Sequence, residues 1–340
     1  MRYTTCFRLA RTNTFRLGSG KLFGKGKSKV HLYGPEYGGN AQNIEKSLRT
    51  LFIADDGYSF CQVDQAGAEA LIVAYLCPPG RFRDLFINGI KPHVYIGVFF
   101  PEHWVDKFPC VRGFAKIPIA ELKNHPEWAG FAKAVAASDY NPSATRYYYF
   151  YKMTCHSGNY GIMGNTFQQN LLEKSGGKVV LSSEQASKFL STYRDVAFPE
   201  LHIFHHQVNA ALLARKELRN LFGYPRRFRS LKTDPKEAYA FIPQSTVGCI
   251  TNLAVVSMQK WIDAHSIDAV ILNNCHDSFL VQGKTEEIML IAKKMKEFIE
   301  IEMVAPRGEK FRMRSEAGVG RNWGPYSQEK NPEGLREVKL

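Results

Sequence analysis

The chain has 340 residues with 45 Lys and Arg against 32 Asp and Glu, a net charge of +13 with histidine neutral. At 44% hydrophobic and 13% aromatic it can bury a core, which excludes disorder as its main description. Its longest apolar runs, such as Ala68–Leu76, are too short to cross a bilayer, so no membrane partner is expected and the excess of base calls for a polyanion. Seven cysteines (Cys6, Cys61, Cys77, Cys110, Cys155, Cys249, Cys275) are scattered without a C-x-x-C pair. That pattern fits reduced, buried thiols and an intracellular setting better than a disulfide framework or a zinc ribbon.

Positive charge is front-loaded: Arg2, Arg8, Arg11, Arg16, Lys21, Lys25, Lys27 and Lys29 precede the first acid, Glu36. Glycines at 18, 20, 24 and 26 predict a loop whose backbone can lie against a polyanion, an organellar presequence being the alternative. Residues 58–64 (YSFCQVD) read as a strand and 66–76 (AGAEALIVAYL) as a buried helix closed by Pro78-Pro79-Gly80. The proline-rich stretch 101–145 predicts an irregular insertion with one short helix. A helix is expected over 143–163. Ser182 with Gln185 forms a capping-box signature for a helix ending near Pro199, and Pro199 opens another to about Asn220. A helix over 248–265 precedes DAVILNN (268–274), the turn Cys275-His276-Asp277-Ser278 and FLVQG (279–283), a strand, tight turn and strand. Residues 285–303 read as an amphipathic helix and the rest as a basic, glycine-containing tail.

Asp64 ends an apolar strand and Asp277 sits in the turn of a hairpin. Two carboxylates at one sheet edge can hold divalent cations, which activate a hydroxyl and stabilise a departing phosphate oxygen. Spacing alone is better served by two aspartates that cap a helix and a turn. Lys152, His156 and Tyr160 fall within about 80° of one another on a helix, so a cation and two rings share one face, with Gly161 just beyond. An amphipathic helix with Tyr147, Tyr148, Tyr149 and Tyr151 in the core would show the same pattern.

FIADDGYSFCQVDQAGAEALIVAYL (52–76) resembles motif A of the family A DNA polymerases, the bacterial DNA polymerase I family, especially its phage-type members. The Lys152, His156, Tyr160-Gly161 helix resembles motif B and NNCHDSFLV (273–281) motif C. GGNAQNIEKSLRTLF (38–52) is similar to the family's N-x-Q-N-I segment, and TTCFRLAR (4–11) to its primer-binding segment. The run 222–228 and the segment around Gln244 match as well, so six motifs lie in the family's order over nearly the whole chain. The resemblance implies an α/β fold of the α+β kind, a polymerase palm with an antiparallel sheet and inserted helical fingers. Its parts would be palm over 1–76, fingers over 77–235 and palm again over 236–340. It implies a template-directed DNA polymerase whose partners are a primer-template and dNTPs, with two Mg²⁺ ions, or Mn²⁺, on Asp64 and Asp277. Glu69 would be the gate that crowds a ribose 2′-hydroxyl. Lys152 would contact the triphosphate and protonate the leaving pyrophosphate, His156 would pack on the sugar, and Tyr160 would lie beside the template base. Arg8, Gln42, Gln244 and His276 would contact DNA, Arg8 and Gln244 in the minor groove.

Three positions depart from the family pattern. Tyr148 stands where an Arg often precedes the motif B lysine, Leu71 where an arginine follows the gate, and Ser278 where motif C usually ends in Glu. Serine at that last place is the habit of single-subunit RNA polymerases, but Glu69 argues against ribonucleotides, which need a small residue there. Gly26-Lys27-Ser28 ends like a phosphate loop, yet position 21 is Lys and no apolar strand precedes it. His202 and His206 share a helical face without a third zinc ligand nearby. Only seven residues precede Arg8, so a thumb or exonuclease is expected on a second polypeptide, and a non-catalytic DNA clamp is the alternative from a different class. The expected location is the cytoplasm of a bacterial or phage-infected cell.

Overall fold

The structure is a computed structural model that describes residues 5–8, 12–20, 40–138, 147–177, 179–228 and 235–340, with Cys6, Arg8 and Gly20 described by their backbone. Most of the basic N-terminal loop, including Gly26-Lys27-Ser28, lies outside these residues. In chain order, β1 (Cys6–Arg8), β2 (Gly18–Gly20) and β3 (Tyr58–Gln65) lead into α1 (Ala68–Leu76). Then come α2 (Arg81–Ile87), α3 (Pro92–Tyr95), α4 (Val111–Phe114), α5 (Ile119–Leu122), α6 (Trp128–Ala137), α7 (Tyr147–Asn159), α8 (Gly164–Lys174), α9 (Ser183–Ser191) and α10 (Glu200–Arg215). A ribbon of β4 (Glu217–Arg219) and β5 (Pro225–Arg227) precedes the long helix α11 (Pro235–His265). The chain closes with β6 (Ala269–Cys275), β7 (Ser278–Lys284), α12 (Ile288–Ile299), β8 (Glu302–Val304), β9 (Lys310–Arg312), β10 (Ser315–Gly320) and β11 (Arg336–Val338).

The chain divides into two compact units. Unit 1 comprises Met1–Ala68, Arg219–Tyr224 and Gln244–Leu340; unit 2 comprises Glu69–Leu218 and Pro225–Pro243. The division runs through α11 at Pro243, a proline inside the helix that cannot donate a backbone hydrogen bond.

Unit 1 is built on an antiparallel sheet of order β11-β10-β3-β7-β6. Side chains alternate across β3, so Phe60, Gln62 and Asp64 share one face and Cys61, Val63 and Gln65 the other. On the second face lies α12, which buries Ile288, Ile291, Ala292, Met295 and Ile299 at helical spacing. A Cβ on Gly283 would stand 2.2 Å from Ile291 Cδ1, so a larger residue there would make the end of that side chain shift. On the first face Phe60, Leu280, Cys275, Ala54 and Trp323 form a cluster, with Phe52 edge-on to the Trp323 ring at 5.7 Å. The expected tail supplies strands β9, β10 and β11, and β10 pairs with Phe60–Gln65 of β3. Its segment, Ser315-Glu316-Ala317-Gly318-Val319-Gly320, has too few large apolar residues to announce a central strand.

Unit 2 is helical. The expected irregular insertion instead holds three short helices, α4 to α6, in its described part. Their apolar periodicity is hidden because aromatic contacts hold them: Phe131 packs against Trp104, Phe108, Phe114 and Trp128, with ring centroids 5.4 to 5.8 Å apart. The capping box before α9 has both halves, Gln185 N–H to Ser182 Oγ at 3.1 Å and Ser182 N–H to Gln185 Oε1 at 2.9 Å. A π-helical stretch, Thr192–Ala197, links α9 to Pro199, so the helix expected up to Pro199 changes its hydrogen-bonding pattern on the way.

Helix α11 starts earlier than expected, and one stretch of it is long and apolar enough to cross a bilayer by length and composition. Most of that stretch is buried, as in a core helix. Among the described cysteines none is in a disulfide; Cys61, Cys77, Cys155, Cys249 and Cys275 are buried and Cys110 is half-buried.

Candidate active site

Register brings the two aspartates of unit 1 to one sheet edge. Asp64 lies directly across from Ser278 in the β3–β7 pairing, and the Gln65 backbone N–H donates to the Asp277 carbonyl at 3.0 Å. Asp64 is exposed and Asp277 half-buried. Both carboxylates lie near enough to Cys275 to reinforce the effect of burial, which pushes that thiol up to about 12.

The turn that presents Asp277 is strained. His276 has φ +66°, and the Asp277 N–H donates to the Cys275 carbonyl at 2.8 Å, a γ-turn in its rarer, left-handed form. Surrounding bonds hold it. Thr251 Oγ1 on α11 donates to the His276 carbonyl at 3.0 Å, and Gln65 Nε2 donates to Thr251 Oγ1 at 2.7 Å. Asn274 Nδ2 donates to Asn252 Oδ1 at 3.1 Å, and Asn273 Nδ2 to the Ala41 carbonyl at 3.0 Å.

Gln42 belongs to this scaffold. It is only 6% exposed. Its Nε2 donates to the carbonyls of Leu17 at 3.0 Å and Asn274 at 2.7 Å, and its Oε1 accepts from the Ser19 N–H at 2.9 Å. Both amide donors are thus used within the fold. Arg8 is placed by its backbone on β1, paired with Gly18 of β2. Gln244 is half-buried on α11, and Thr251, seven residues on, shares its helical face.

Unit 2 carries the lysine face. Lys152 and His156 are exposed on α7, while Tyr160 follows the helix and is buried. The Tyr160 hydroxyl donates to the Glu69 carboxylate, and His156 Nε2 lies 3.8 Å from the same carboxylate. His156 and Tyr160 meet edge to face, centroids 5.0 Å apart. Gly161 follows with φ +66°, and a Cβ there would stand 2.8 Å from the Tyr239 ring. Helix α7 is pinned from its other side: Trp104 Nε1 donates to the Tyr151 hydroxyl at 2.9 Å, and that hydroxyl meets His103 Nδ1 at 2.8 Å.

The three departures have local explanations. Tyr148, in place of an arginine, meets His93 Nε2 through its hydroxyl at 2.7 Å. Burial holds His93 down to about 3, helped by the charges of Lys152 and Lys91, so its ring is neutral at neutral pH. Leu71 is buried and apolar. Ser278 is buried and accepts from Gln62 Nε2 at 2.9 Å. His202 contacts Asp195 at 2.8 Å, and among the described residues no three His, Cys, Asp or Glu side chains are grouped as a metal site. Sequence reasoning missed Gln62, Gln65, Thr251 and His93, uncharged or ring side chains outside the motif cores whose importance comes from contacts across strands and helices.

No family model matches the chain, and no curated protein matches it. Among solved structures it is similar to the POL domain of Pol1 from M. smegmatis, in complex with DNA primer-template and dNTP, with a TM-score of 0.62 at 18% identity. The likeness covers 94% of this chain and 47% of that one, so this chain spans about half the length of its structural relative. The chain has a polymerase fold. Its antiparallel sheet and inserted helices are those of a polymerase palm and fingers.

Proposed function

We propose that the chain is a template-directed DNA polymerase that adds dNTPs to a primer 3′ end. The observation that carries this reading is the juxtaposition of Asp64 and Asp277 at one sheet edge by cross-strand register and the Gln65–Asp277 backbone bond. The donor set fits Mg²⁺: two carboxylates from the protein leave the remaining octahedral positions to substrate phosphate and water, and Mn²⁺ would be accepted by the same oxygens. Bound there, a pair of such ions would neutralise charge on the entering and departing oxygens.

In unit 2, Lys152 would contact the triphosphate and supply a proton to the leaving pyrophosphate, while His156 would pack on the sugar. Glu69, oriented by Tyr160, would exclude a ribose 2′-hydroxyl. Arg8, Gln244 and His276 would lie along the primer-template, in a basic cleft whose DNA affinity falls steeply with salt.

Primer extension with Mg²⁺, comparing dNTPs with rNTPs, tests the reading. Asp64→Asn and Asp277→Asn should each reduce extension about a thousandfold or more, several kcal/mol of lost charge stabilisation, with DNA binding retained. Wild-type chain that binds primer-template but never extends it would make the protein a clamp. Preference for rNTPs would make it an RNA polymerase relative.

A further inference from the structure

Unit 2 has a cleft of about 580 Å³ lined by α2 and by the segment 115–120 that leads into α5. Its size falls within the span of about 300–1,000 Å³ common for small-molecule sites. Arg81, Asp84 and Asn88 line it from α2, three and four residues apart, so they share one face of that helix. Lys116 comes from the second segment, and the rest of the lining, Ile117 and Ile119 among it, is apolar. The polar groups are placed but unspent. Arg81 is fixed through Nη1, which donates to the carbonyls of Val196 at 2.9 Å and Ala197 at 3.1 Å, and its guanidinium lies 5.7 Å from the centre of the Phe99 ring. Its Nε and Nη2 keep their N–H groups. Asn88 Nδ2 donates to the Asp84 backbone carbonyl at 2.9 Å, which leaves Asn88 Oδ1 as an acceptor. Among the described residues neither the Asp84 carboxylate nor the Lys116 ammonium has a hydrogen-bond or ion-pair partner, although Arg81 stands one helical turn from Asp84. Two cations and two acceptors thus line one cleft without cancelling each other.

We propose that this cleft binds a nucleotide by its terminal 5′-phosphate: Arg81 and Lys116 hold the phosphate, Asp84 and Asn88 accept from the amine edge of the base, and the apolar lining covers the base. Two cations match the near-dianionic charge of a phosphate monoester better than the single charge of an internal phosphodiester. Inorganic phosphate would bring like charge to Asp84 with no base to donate to it, and a sugar phosphate would leave the apolar lining uncovered. A free nucleoside monophosphate and the 5′ end of a DNA strand both offer this chemistry. None of these side chains belongs to the site proposed above, so the inference does not depend on the polymerase reading.

Calorimetric titration of the full chain in EDTA, so that no divalent cation ties nucleotide to a carboxylate, tests the cleft with deoxyadenosine monophosphate, inorganic phosphate and deoxyadenosine. The monophosphate should bind about tenfold tighter than either fragment. Lys116→Ala should weaken it about fivefold through the loss of one exposed charge contact. Asp84→Ala removes an acceptor for the base and a repulsion from the phosphate together, so the advantage of the monophosphate over inorganic phosphate should fall about fivefold. Both changes fall on side chains without partners, and thermal melting checks that the variants fold. Single strands of one sequence, ending in a 5′-phosphate or a 5′-hydroxyl, separate the two sources. A preference for the phosphorylated strand that Lys116→Ala removes assigns the strand end, and equal affinity for the two strands assigns the free monophosphate. The inference is overturned if the monophosphate binds no tighter than inorganic phosphate and the phosphorylated strand no tighter than its partner. It is overturned equally if both variants leave every affinity unchanged.

Discussion

In unit 1 the candidate carboxylates are held by directional bonds to backbone and amide atoms from segments far apart in sequence, whereas in unit 2 the lysine face is held by packed rings. Gln42, Gln65 and Thr251, with the Asn274–Asn252 bond, tie residues 41–43, β3 and α11 to the Asp277 turn. Tyr147, Tyr151, Phe150 and Tyr193 instead support α7 through volume and shape. A strained turn needs partners that resist one particular rotation, and hydrogen bonds do that because they fail with angle. A helix carrying exposed side chains needs only a firm back, and aromatic contacts provide it. Unit 1 should therefore be vulnerable to the loss of single polar atoms, and unit 2 to changes of volume and of proton concentration.

The sharpest test of the first half is Gln42→Leu. It keeps the volume but orphans the Ser19 N–H and the Leu17 and Asn274 carbonyls. At about 1–3 kcal/mol for each unsatisfied buried group, with partial relaxation, we expect a loss of roughly 4 kcal/mol in chemical denaturation. Unchanged stability with weakened DNA binding would make Gln42 a DNA contact and remove it from the scaffold.

The matching test of unit 2 is Gly158→Val. Already the first carbon of a side chain there would stand 2.2 Å from the Tyr193 ring, and Tyr193 is itself anchored by its hydroxyl to Asn159 Oδ1 at 2.6 Å. Overpacking of this kind costs about 3 kcal/mol. Gly158→Val with a pruned ring, Tyr193→Leu, should recover part of that loss; no recovery would mean that the helix, not the ring, is what the glycine serves.

Acid separates the units in another way. Among the described residues, the histidines whose protonation burial opposes are His93, His103 and His205, all in unit 2. His93 is held down to about 3 and His205 to about 4. Each binds a proton more readily in the unfolded chain, so their contribution is complete above about pH 6.5 and is lost as pH falls toward those values. Lowering the pH from 6.5 to 5.5 should cost about 2 kcal/mol for the pair. Denaturation curves across that interval check it, and His205→Gln should flatten the dependence; a curve that stays flat in the wild type would mean that both rings accept protons where they lie.

The same contrast governs what was legible in the sequence. Strand β3 and the 275–278 hairpin were readable because apolar alternation ends abruptly at Asp64 and Asp277, and the Lys152 face because helical spacing is regular. Strand β10 was not, because its alternation is diluted by small residues, nor were the insertion helices, whose cohesion is tertiary and aromatic. Gln42 was visible as part of a motif, but a motif does not say which way an amide faces. The strain at His276 was invisible for the same reason: it arises from bonds to Thr251 and Gln65, residues that carry no charge and no pattern of their own.

The smallest expected effect probes a place in unit 2 where a directional bond orients a functional group. The Tyr160 hydroxyl donates to Glu69, while the Tyr160 ring stays in edge contact with His156 at 5.0 Å. Tyr160→Phe keeps the ring and removes only the bond. His156, 3.8 Å from the same carboxylate, still restrains it, so the loss should be about 1 kcal/mol, a several-fold fall in preference for dNTPs over rNTPs in primer extension. Glu69→Ala should lower that preference further, since it takes away the group the bond orients. If Tyr160→Phe leaves the ratio unchanged while Glu69→Ala lowers it, packing alone holds the gate and unit 2 uses rings even here. If neither moves it, Glu69 does not read the sugar.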